Sequence, residues 1–431
     1  MKTLKTFPIF IFLIFLVVGC AKTNQADTSS GELSFMVFGD PAEIKAYQEL
    51  ATTFEAKYPD AKVELINIPG QSDYRTRLAA DFAAGTPADV VLLNYRRLGT
   101  YAARGALEPL DDYLAKSKII SRQDFYPQAL EPFAYQGKLM CIPQNLSSLV
   151  VYYNKDLFDQ AGLSYPQNDW TWQDFLQTAQ ALTRDLDGDG QTDQHGLGFE
   201  SVLARFAPFI WQHGGEVTNN DLNPTKLALD WPLSLQAISW VVDLQTKYKV
   251  VPNVEEEASE DSESRFMNGR LGMYLNSRRS VPTFREITAF DWDVAPLPRD
   301  QHIASVLHSD GFCMPSSVEN KDLVWKFIEF ANSPEGQRIV AKSGRTVPSL
   351  KSVAESKEFL DPTQKPSNNR AAFLDMADFI RALPISPTWI DAEEAVDQEL
   401  TRAFYGEISV EEAIQAANNL AQPFLADTDA P

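Results

Sequence analysis

Three short apolar runs decide the fold: LSFMVF at 33–38, VELINI at 63–68 and ADVVLLN at 88–94. Each has the length and residue content of a buried strand, and each is bounded by turn formers. Gly39-Asp40-Pro41 closes the first. Beyond it Ile44, Tyr47, Leu50, Phe54 and Tyr58 recur at steps of three and four, which lines up one apolar face of a helix. A second helix runs through Leu78 to Ala84 and stops at Gly85, with Pro87 just beyond. Strand–helix–strand–helix–strand is the pattern of a parallel α/β sheet.

A second block opens with KLMCIPQ (138–144) and LVVYYN (149–154). Helices are expected around 171–183, 202–212 and 232–247, and strands at Leu271–Leu275 and Trp292–Leu297. EEEASEDSE (255–263) reads as a solvated loop or helix start. GFCMP (311–315) precedes an amphipathic helix built on Leu323, Phe327, Ile328 and Ala331. The last third is helical, with Val410, Ala413, Ile414, Ala417 and Leu420 on one face. No internal repeat is present.

The chain of 431 residues is long enough for two or three domains. Hydrophobic residues at 44% and charged residues at 23% permit a large core and exclude global disorder. A net charge of −21 argues against nucleic acid, whose phosphates are bound by basic patches. At the start, Lys2 and Lys5 precede an apolar run from Phe7 to Val18, the layout of an export signal. The run is shorter than the ~20 residues of a membrane-spanning helix. It ends in Val17-Val18-Gly19-Cys20, which resembles the lipobox of bacterial lipoproteins. That resemblance implies cleavage before Cys20 and a diacylglycerol on its thiol. AKTNQADTSSG (21–31) then reads as a flexible tether. Of the remaining cysteines, Cys141 and Cys313 are free to pair outside the cytosol. The preference of cysteine for cores makes buried free thiols the expectation.

DLDGDGQTD (185–193) places Asp185, Asp187, Asp189 and Asp193 at the first, third, fifth and ninth places of a calcium loop, with Gly190 at the sixth. The twelfth place, which calls for a bidentate Glu, is Gly196. Two readings stay open: an Asp/Gly-rich turn after the helix that ends near Arg184, or a structural calcium completed by another carboxylate. No cofactor is otherwise required.

In its order of segments the chain resembles the extracellular solute-binding proteins of ABC importers, specifically the large sugar-binding group that includes maltose-binding protein. The likeness spans about 33 to 425. It rests on LAADFAAGTPADVVLLN (78–94), LGTYAARGALEPLDDYL (98–114), IPQNLSSLVVYYNKDLFDQAGL (142–163), TWQDFLQTAQALTRD with DGDGQTDQHGLGF, FMNGRLGMYLN (266–276), WDVAPLP (292–298), WKFIEFANSPEGQ (325–337) and VPSLKSV (347–353). The resemblance implies an α/β, two-lobe, periplasmic-binding-protein-like fold of type II with a hinged cleft. Residues 1–19 would be the signal peptide and 20–31 the lipidated tether. The first lobe would be 32–143 plus 297–344, the second 144–296 plus 345–431. Chain crossings are expected near Cys141–Tyr153, Trp292–Pro298 and Arg345–Leu350. Implied too are a monomer lipid-anchored on the extracytoplasmic side, in the periplasm or on the outer face of the cytoplasmic membrane, and permease subunits as partner.

Binding groups of an α/β lobe sit beyond the carboxyl ends of its strands. This rule selects Gly39, Asp40 and Glu43, then Tyr74, then Asn94, Tyr95 and Arg96. From the other side come Gln144 and Asn145, Trp211, Asn276 to Arg279, Ser309, Asp310 and Gly311, Arg345 and Trp389. Carboxylates, amides and guanidinium groups meet sugar hydroxyls, and Trp or Tyr rings meet the sugar's C–H face. Each has a plainer alternative: Asp40 as a helix cap, Arg345 as a lobe–lobe ion pair, Arg278 and Arg279 as surface charge or contacts to an anionic solute. Trp240, Trp292 and Trp325 read as core and Trp172 as a helix start. The expected solute is a mono- to oligosaccharide, with glycerol phosphate or another polyol as alternative. A glycoside hydrolase, which needs two placed carboxylates, is the rival of another class. Against it, no G-x-S-x-G, H-E-x-x-H or phosphate-loop motif is present.

Overall fold

In the computed structural model, which describes residues 30–425, Gly31–Val37 runs parallel to Ala61–Asn67 and to Val90–Asn94. The export segment 1–19, Cys20 and most of the tether lie outside the described residues. Leu33, Phe35, Met36 and Val37 are buried, as is all of Val90–Leu93. Helix Pro41–Lys57 covers this sheet. Asp40 caps it, Pro41 supplies a preset φ at its first position, and Glu43 and Lys57 oppose the helix dipole at its two ends. Its buried face is Ala46, Tyr47, Leu50, Ala51 and Phe54. Phe54 meets Phe327 edge-on at 5.1 Å. Helix Gln71–Ala84 stops at Gly85, whose φ of 74° is left-handed.

The first sheet has five strands, in the order Ala61–Asn67, Gly31–Val37, Val90–Asn94, Asp310–Cys313, Cys141–Pro143. The second has four: Trp292–Ala295, Val150–Asn154, Leu271–Asn276, His195–Gly198. Between them lies a short ribbon of Ile380–Arg381, Ser305–His308 and Ser147–Ser148. The apolar core divides in the same places. Leu146 belongs to the cluster of the first sheet, whereas Leu149 and Val150 belong to the two clusters that cover the second. Val306 and Leu307 part in the same way, as do Ile380 and Leu383.

The crossing expected at Trp292–Pro298 therefore lies later, near 306–309. Trp292–Ala295 is still paired antiparallel with Val150–Asn154, so the chain has not yet left the second sheet. Around Arg345–Leu350 the chain touches both cores rather than passing once to the second lobe: Val347 lies in the second lobe's core, Leu350 and Val353 in the first's, and Ala354 and Phe359 in the second's again. A further crossing at 380–383 has no counterpart in the sequence reading. Helices Trp389–Phe404 and Val410–Leu425 complete the second lobe. Ala413, Ile414 and Ala417 face inward as their spacing requires, but Leu420 is exposed and Ala421 takes the buried place.

Cys141 and Cys313 are not free thiols. They stand directly opposite one another in the antiparallel pairing of Cys141–Pro143 with Asp310–Cys313 and form a disulfide, Cα to Cα 4.4 Å. A separation of 172 residues hides that neighbourhood from the sequence. In the Asp loop, the carboxylates of Asp185, Asp187, Asp189 and Asp193 accept from the backbone N–H groups of Gly188, Asp189, Gln191 and Leu186. Oxygens of Asp185, Asp187 and Asp193 come within 4.8 Å of one another, and Asp189 stands outside that group. The twelfth position is Gly196 because nothing larger fits: a Cβ there would lie 1.9 Å from the carbonyl oxygen of Ala179.

Joining two adjacent strands across so long a loop restricts the unfolded chain. Reducing the protein, or replacing Cys313 by Ser, should lower stability by about 2–5 kcal/mol in chemical denaturation. An unchanged denaturation midpoint under reducing conditions would contradict this.

Candidate solute-binding site

The crossings put the carboxyl ends of the first sheet's strands opposite the second lobe, and a cleft of about 590 Å³ opens between them. Its near wall begins at Gly39, Asp40 and Glu43. Asp40 fills both roles weighed for it. One carboxylate oxygen accepts from the Glu43 N–H at 2.9 Å as the helix cap, and the other accepts from Arg345 at 2.7 Å. Glu43 also pairs with Arg345, and its Oε1 lies 2.9 Å from the Tyr47 hydroxyl. Gly39 has φ +150°, and a Cβ on it would fall 2.1 Å from the Glu43 carboxylate. Only glycine lets the first strand end this close to that group.

Asn145 and Asp310 form the floor. The Asn145 amide donates to the His308 carbonyl at 2.8 Å and accepts from the Asp310 N–H at 2.9 Å. Among the described residues, Asp310 Oδ1 is one of few buried side-chain oxygens with no hydrogen-bond partner. Burial holds the Asp310 carboxyl above its usual range, against the pull of Asn94, Arg345, Arg75 and Arg96. His308 lies beside Arg205, with Nε2 3.1 Å from Nη1. Burial, then Arg205, Arg96 and Arg279, hold its pKa well below the usual histidine value, so the ring is neutral at physiological pH.

The far wall comes from Glu200, Arg205, Ser277 and Arg279, and from Glu393, Glu394 and Asp397 on helix Trp389–Phe404. Glu200 accepts from Arg205 at 2.6 Å and from Arg279 at 3.3 Å. Glu393 pairs with Arg96 of the first lobe. Asp397 accepts from the Leu203 N–H at 2.6 Å, and burial, then Glu393, push its pKa up to about 7.

Of the residues singled out in the sequence, the structure brings Asp40, Glu43, Asn94, Asn145, Asp310 and Arg345 together on the cleft, with Gly39, Arg96, Ser277 and Arg279. The others lie behind it. Tyr74 is buried, its hydroxyl 2.7 Å from the Leu92 carbonyl, which ties a helix start to a strand end. Tyr95 is buried and accepts from the Leu383 N–H at 3.1 Å. Trp211 packs in the second lobe's core under the guanidinium of Arg381, and Trp389 is wholly buried there. Gly311 faces Phe133 and Cys141 rather than the cleft. Arg278 is neither surface charge nor a cleft group. It is buried over the rings of Phe359 and Phe373 and pairs with Asn369. Asn276 is buried one layer back, where its Oδ1 accepts from Arg205 at 3.2 Å and Arg279 at 3.3 Å and aims both.

All four expected aromatic contacts are therefore core, and among the described residues Phe38 is the one Phe, Tyr or Trp that lines the cleft. The lining residues not foreseen include seven charged ones, Arg75, Arg97, Glu200, Arg205, Glu393, Glu394 and Asp397, beside uncharged ones such as Ser147 and His308. On a helix such residues read as a solvated face, and only the fold of the opposite lobe turns that face into a wall.

Burial outweighs the Arg345 charge at Glu43 and pushes its carboxyl up to about 7. The folded state therefore holds this proton more tightly than the unfolded chain, and the associated stability is lost as pH rises from about 4.5 to 7. Glu43→Gln removes that loss. Its unfolding free energy in chemical denaturation should gain on the parent's between about pH 5 and 8, by an amount on the order of 2 kcal/mol. A difference that does not change with pH would contradict it.

The profile of the bacterial extracellular solute-binding protein family matches residues 39–338. A binding protein of Brucella abortus is 25% identical over 396 residues, covering 90% of this chain and 91% of that one. The maltotriose-binding protein of Pyrococcus abyssi is 22% identical over 396 residues, covering 88% of this chain and 79% of its own. Among solved structures, the ABC substrate-binding protein Lmo0181 of Listeria monocytogenes, in complex with cycloalternan, superimposes with a TM-score of 0.82. It is 26% identical, over 91% of this chain and 99% of that one. Two lobes with a polar cleft between them, and this match over most of the sequence, lead to one assignment. The chain is a member of the bacterial extracellular solute-binding protein family.

Proposed function

We propose that this protein captures a carbohydrate, from a single sugar to an oligosaccharide, in the cleft and delivers it to the membrane subunits of an ABC importer. The observation that carries the reading is Asp310 Oδ1, a buried carboxylate oxygen on the cleft with no partner of its own. A buried acceptor left unpaired costs about 1–3 kcal/mol, and a ligand hydroxyl that donates to it removes the cost. Around it stand donors and acceptors on two walls: the amide of Asn145, the neutral ring of His308, the fork of Arg205 and the hydroxyls of Ser147 and Ser277. That mixture suits a molecule whose every group both donates and accepts, as a sugar's hydroxyls do. The sugars named for the Pyrococcus and Listeria relatives point the same way.

A solute touching both walls favours the closed arrangement of the lobes by its contacts with each, and closure is the difference that a transporter can sense. A lipid on Cys20 would keep the protein beside its permease, on the outer side of the cytoplasmic membrane. No helix among the described residues is long and apolar enough to cross a membrane, so attachment by the folded part would fall to that anchor.

A thermal-shift panel of maltotriose, cyclic glucans, galactobiose and monosaccharides should show stabilisation by at least one compound, through linkage of binding to folding. Asp310→Asn, which keeps the shape and removes the charge, should weaken that compound by about ten- to a hundredfold, the worth of a charge-assisted hydrogen bond. Hydrolysis of a glycoside by the wild type, lost on replacing one cleft carboxylate, would replace the binding-protein reading with the hydrolase one.

A further inference from the structure

The cleft carries six arginines: Arg75, Arg96, Arg97, Arg205, Arg279 and Arg345. Four are committed to carboxylates: Arg96 to Glu393, Arg205 and Arg279 to Glu200, and Arg345 to Asp40 and Glu43. Arg75 and Arg97 differ. Among the described residues, neither makes an ion pair or a side-chain hydrogen bond, although both are half-buried and both line the cleft. They come from separate elements, Arg75 from the first turns of helix Gln71–Ala84 and Arg97 from the turn Tyr95–Arg97 after the third strand. Both belong to the first lobe, on the Asn94 side of the cleft.

Two guanidinium groups on one wall with no ion-pair partner are unfavourable by themselves. Burial, then Arg97 and Arg96, lower the pKa of Arg75 to about 10, and burial, then Arg96, lower that of Arg97. At neutral pH both still carry their charge. The surface supplies no shortage of acids, since Asp and Glu number 59 against 38 Lys and Arg. Asp310 and Glu393 act on Arg75, and Glu394 and Glu393 on Arg97, from elsewhere on the cleft, but none reaches ion-pair distance, so both guanidinium groups keep their N–H donors toward the space between the walls.

The rest of the cleft agrees. With Phe38 as its one Phe, Tyr or Trp ring among the described residues, it offers little to the C–H face of a neutral sugar, while the uncommitted forks of Arg75 and Arg97 suit planar or tetrahedral anions. We propose that the solute is a carbohydrate bearing an anionic group, a carboxylate or a phosphate, and that Arg75 and Arg97 hold that group. This rests on the carbohydrate reading of the same cleft and adds the charge of the ligand. The hydroxylated body lies against Asp310, Asn145 and His308, and the anion at the arginine pair fixes its direction.

The test is calorimetry and thermal shift on the full chain with matched pairs: galactobiose against digalacturonate, and trehalose against trehalose 6-phosphate, with inorganic phosphate alone. The proposal expects one acidic member to bind at least about tenfold more tightly than its neutral partner. The preferred pair tells a carboxylate from a phosphate. Arg75→Gln with Arg97→Gln should abolish the preference while leaving any affinity for the neutral member. Arg77→Gln, at an exposed position on the same helix that pairs with Asp81, should leave the preference intact, which separates a binding effect from a folding one. Equal binding of neutral and acidic members would overturn the charged-ligand proposal and leave the carbohydrate reading standing. So would a preference that survives in the double variant. A shift with inorganic phosphate alone, lost in the double variant, would keep the anion site and count against a sugar as its ligand. Silence from every acidic probe and from phosphate would overturn the proposal.

Discussion

The side-chain amide of Asn145 holds the place where the two lobes meet. It donates to the backbone of one crossing segment and accepts from the next residue but one, so that His308, Ser309 and Asp310 are locked against Gln144 and Asn145. The Gln144 N–H completes the lock on the Asp310 carbonyl at 2.9 Å. Everything that lines the cleft is positioned from this knot. On one side it fixes the ends of the first sheet, where Asp310 stands across from Asn94. On the other it feeds Ser147–Ser148 and Ser305–His308 into the ribbon from which the second sheet departs. Buried amides are expensive unless fully paired, and this one is paired by groups from two distant stretches of chain. Loosening it would release both walls at once.

The cleft that results is ionic where a sugar site was expected to be aromatic. Trp211, Trp389, Tyr74 and Tyr95 are spent on the core, and their places are taken by arginine–carboxylate pairs. Such pairs hold side chains in fixed directions while leaving lone pairs and N–H groups on the cleft side. Arg205 shows the principle: Glu200, Asn276 and His308 hold its two terminal nitrogens in place on the cleft wall. Several of the acids are kept partly protonated by burial, Glu43 and Asp397 near neutrality. The cleft's charge therefore depends on pH in the range where cells live, and among its described arginines Arg75 and Arg97 are the two without an ion-pair partner.

Much of the first lobe was legible in the sequence because its signals are local. The strand runs, the helix face from Ile44 to Phe54 and the Gly85 stop need no knowledge of distant residues. Asp40, Glu43 and Asn94 could be found because loops after parallel strands are where such lobes bind. Illegible features share one property, that they join residues far apart in the chain. The Cys141–Cys313 bond, the late crossing at 306–309, the Ile380–Leu383 crossing and the acids of helix Trp389–Phe404 all depend on which segments become neighbours. The aromatic residues misled for a related reason. A Trp beside a loop has the same local pattern whether it faces solvent or core, and for Trp389 the packing of the last two helices decides. Gly196 ran the other way. Its poor match to a calcium loop was plain in the sequence, and the close approach of a strand to a helix supplies the cause.

The central claim is that one small, hydroxylated molecule bridges both lobes through the groups gathered around this knot. A crystal structure of the protein grown with the tightest compound of the carbohydrate panel tests it most directly. The account predicts a ligand whose hydroxyls contact Asp310 and Asn145 on one side and Arg205 or Glu200 on the other, within hydrogen-bond distance of each. A ligand seated on a single lobe, with Asp310 Oδ1 still unpartnered, would contradict it.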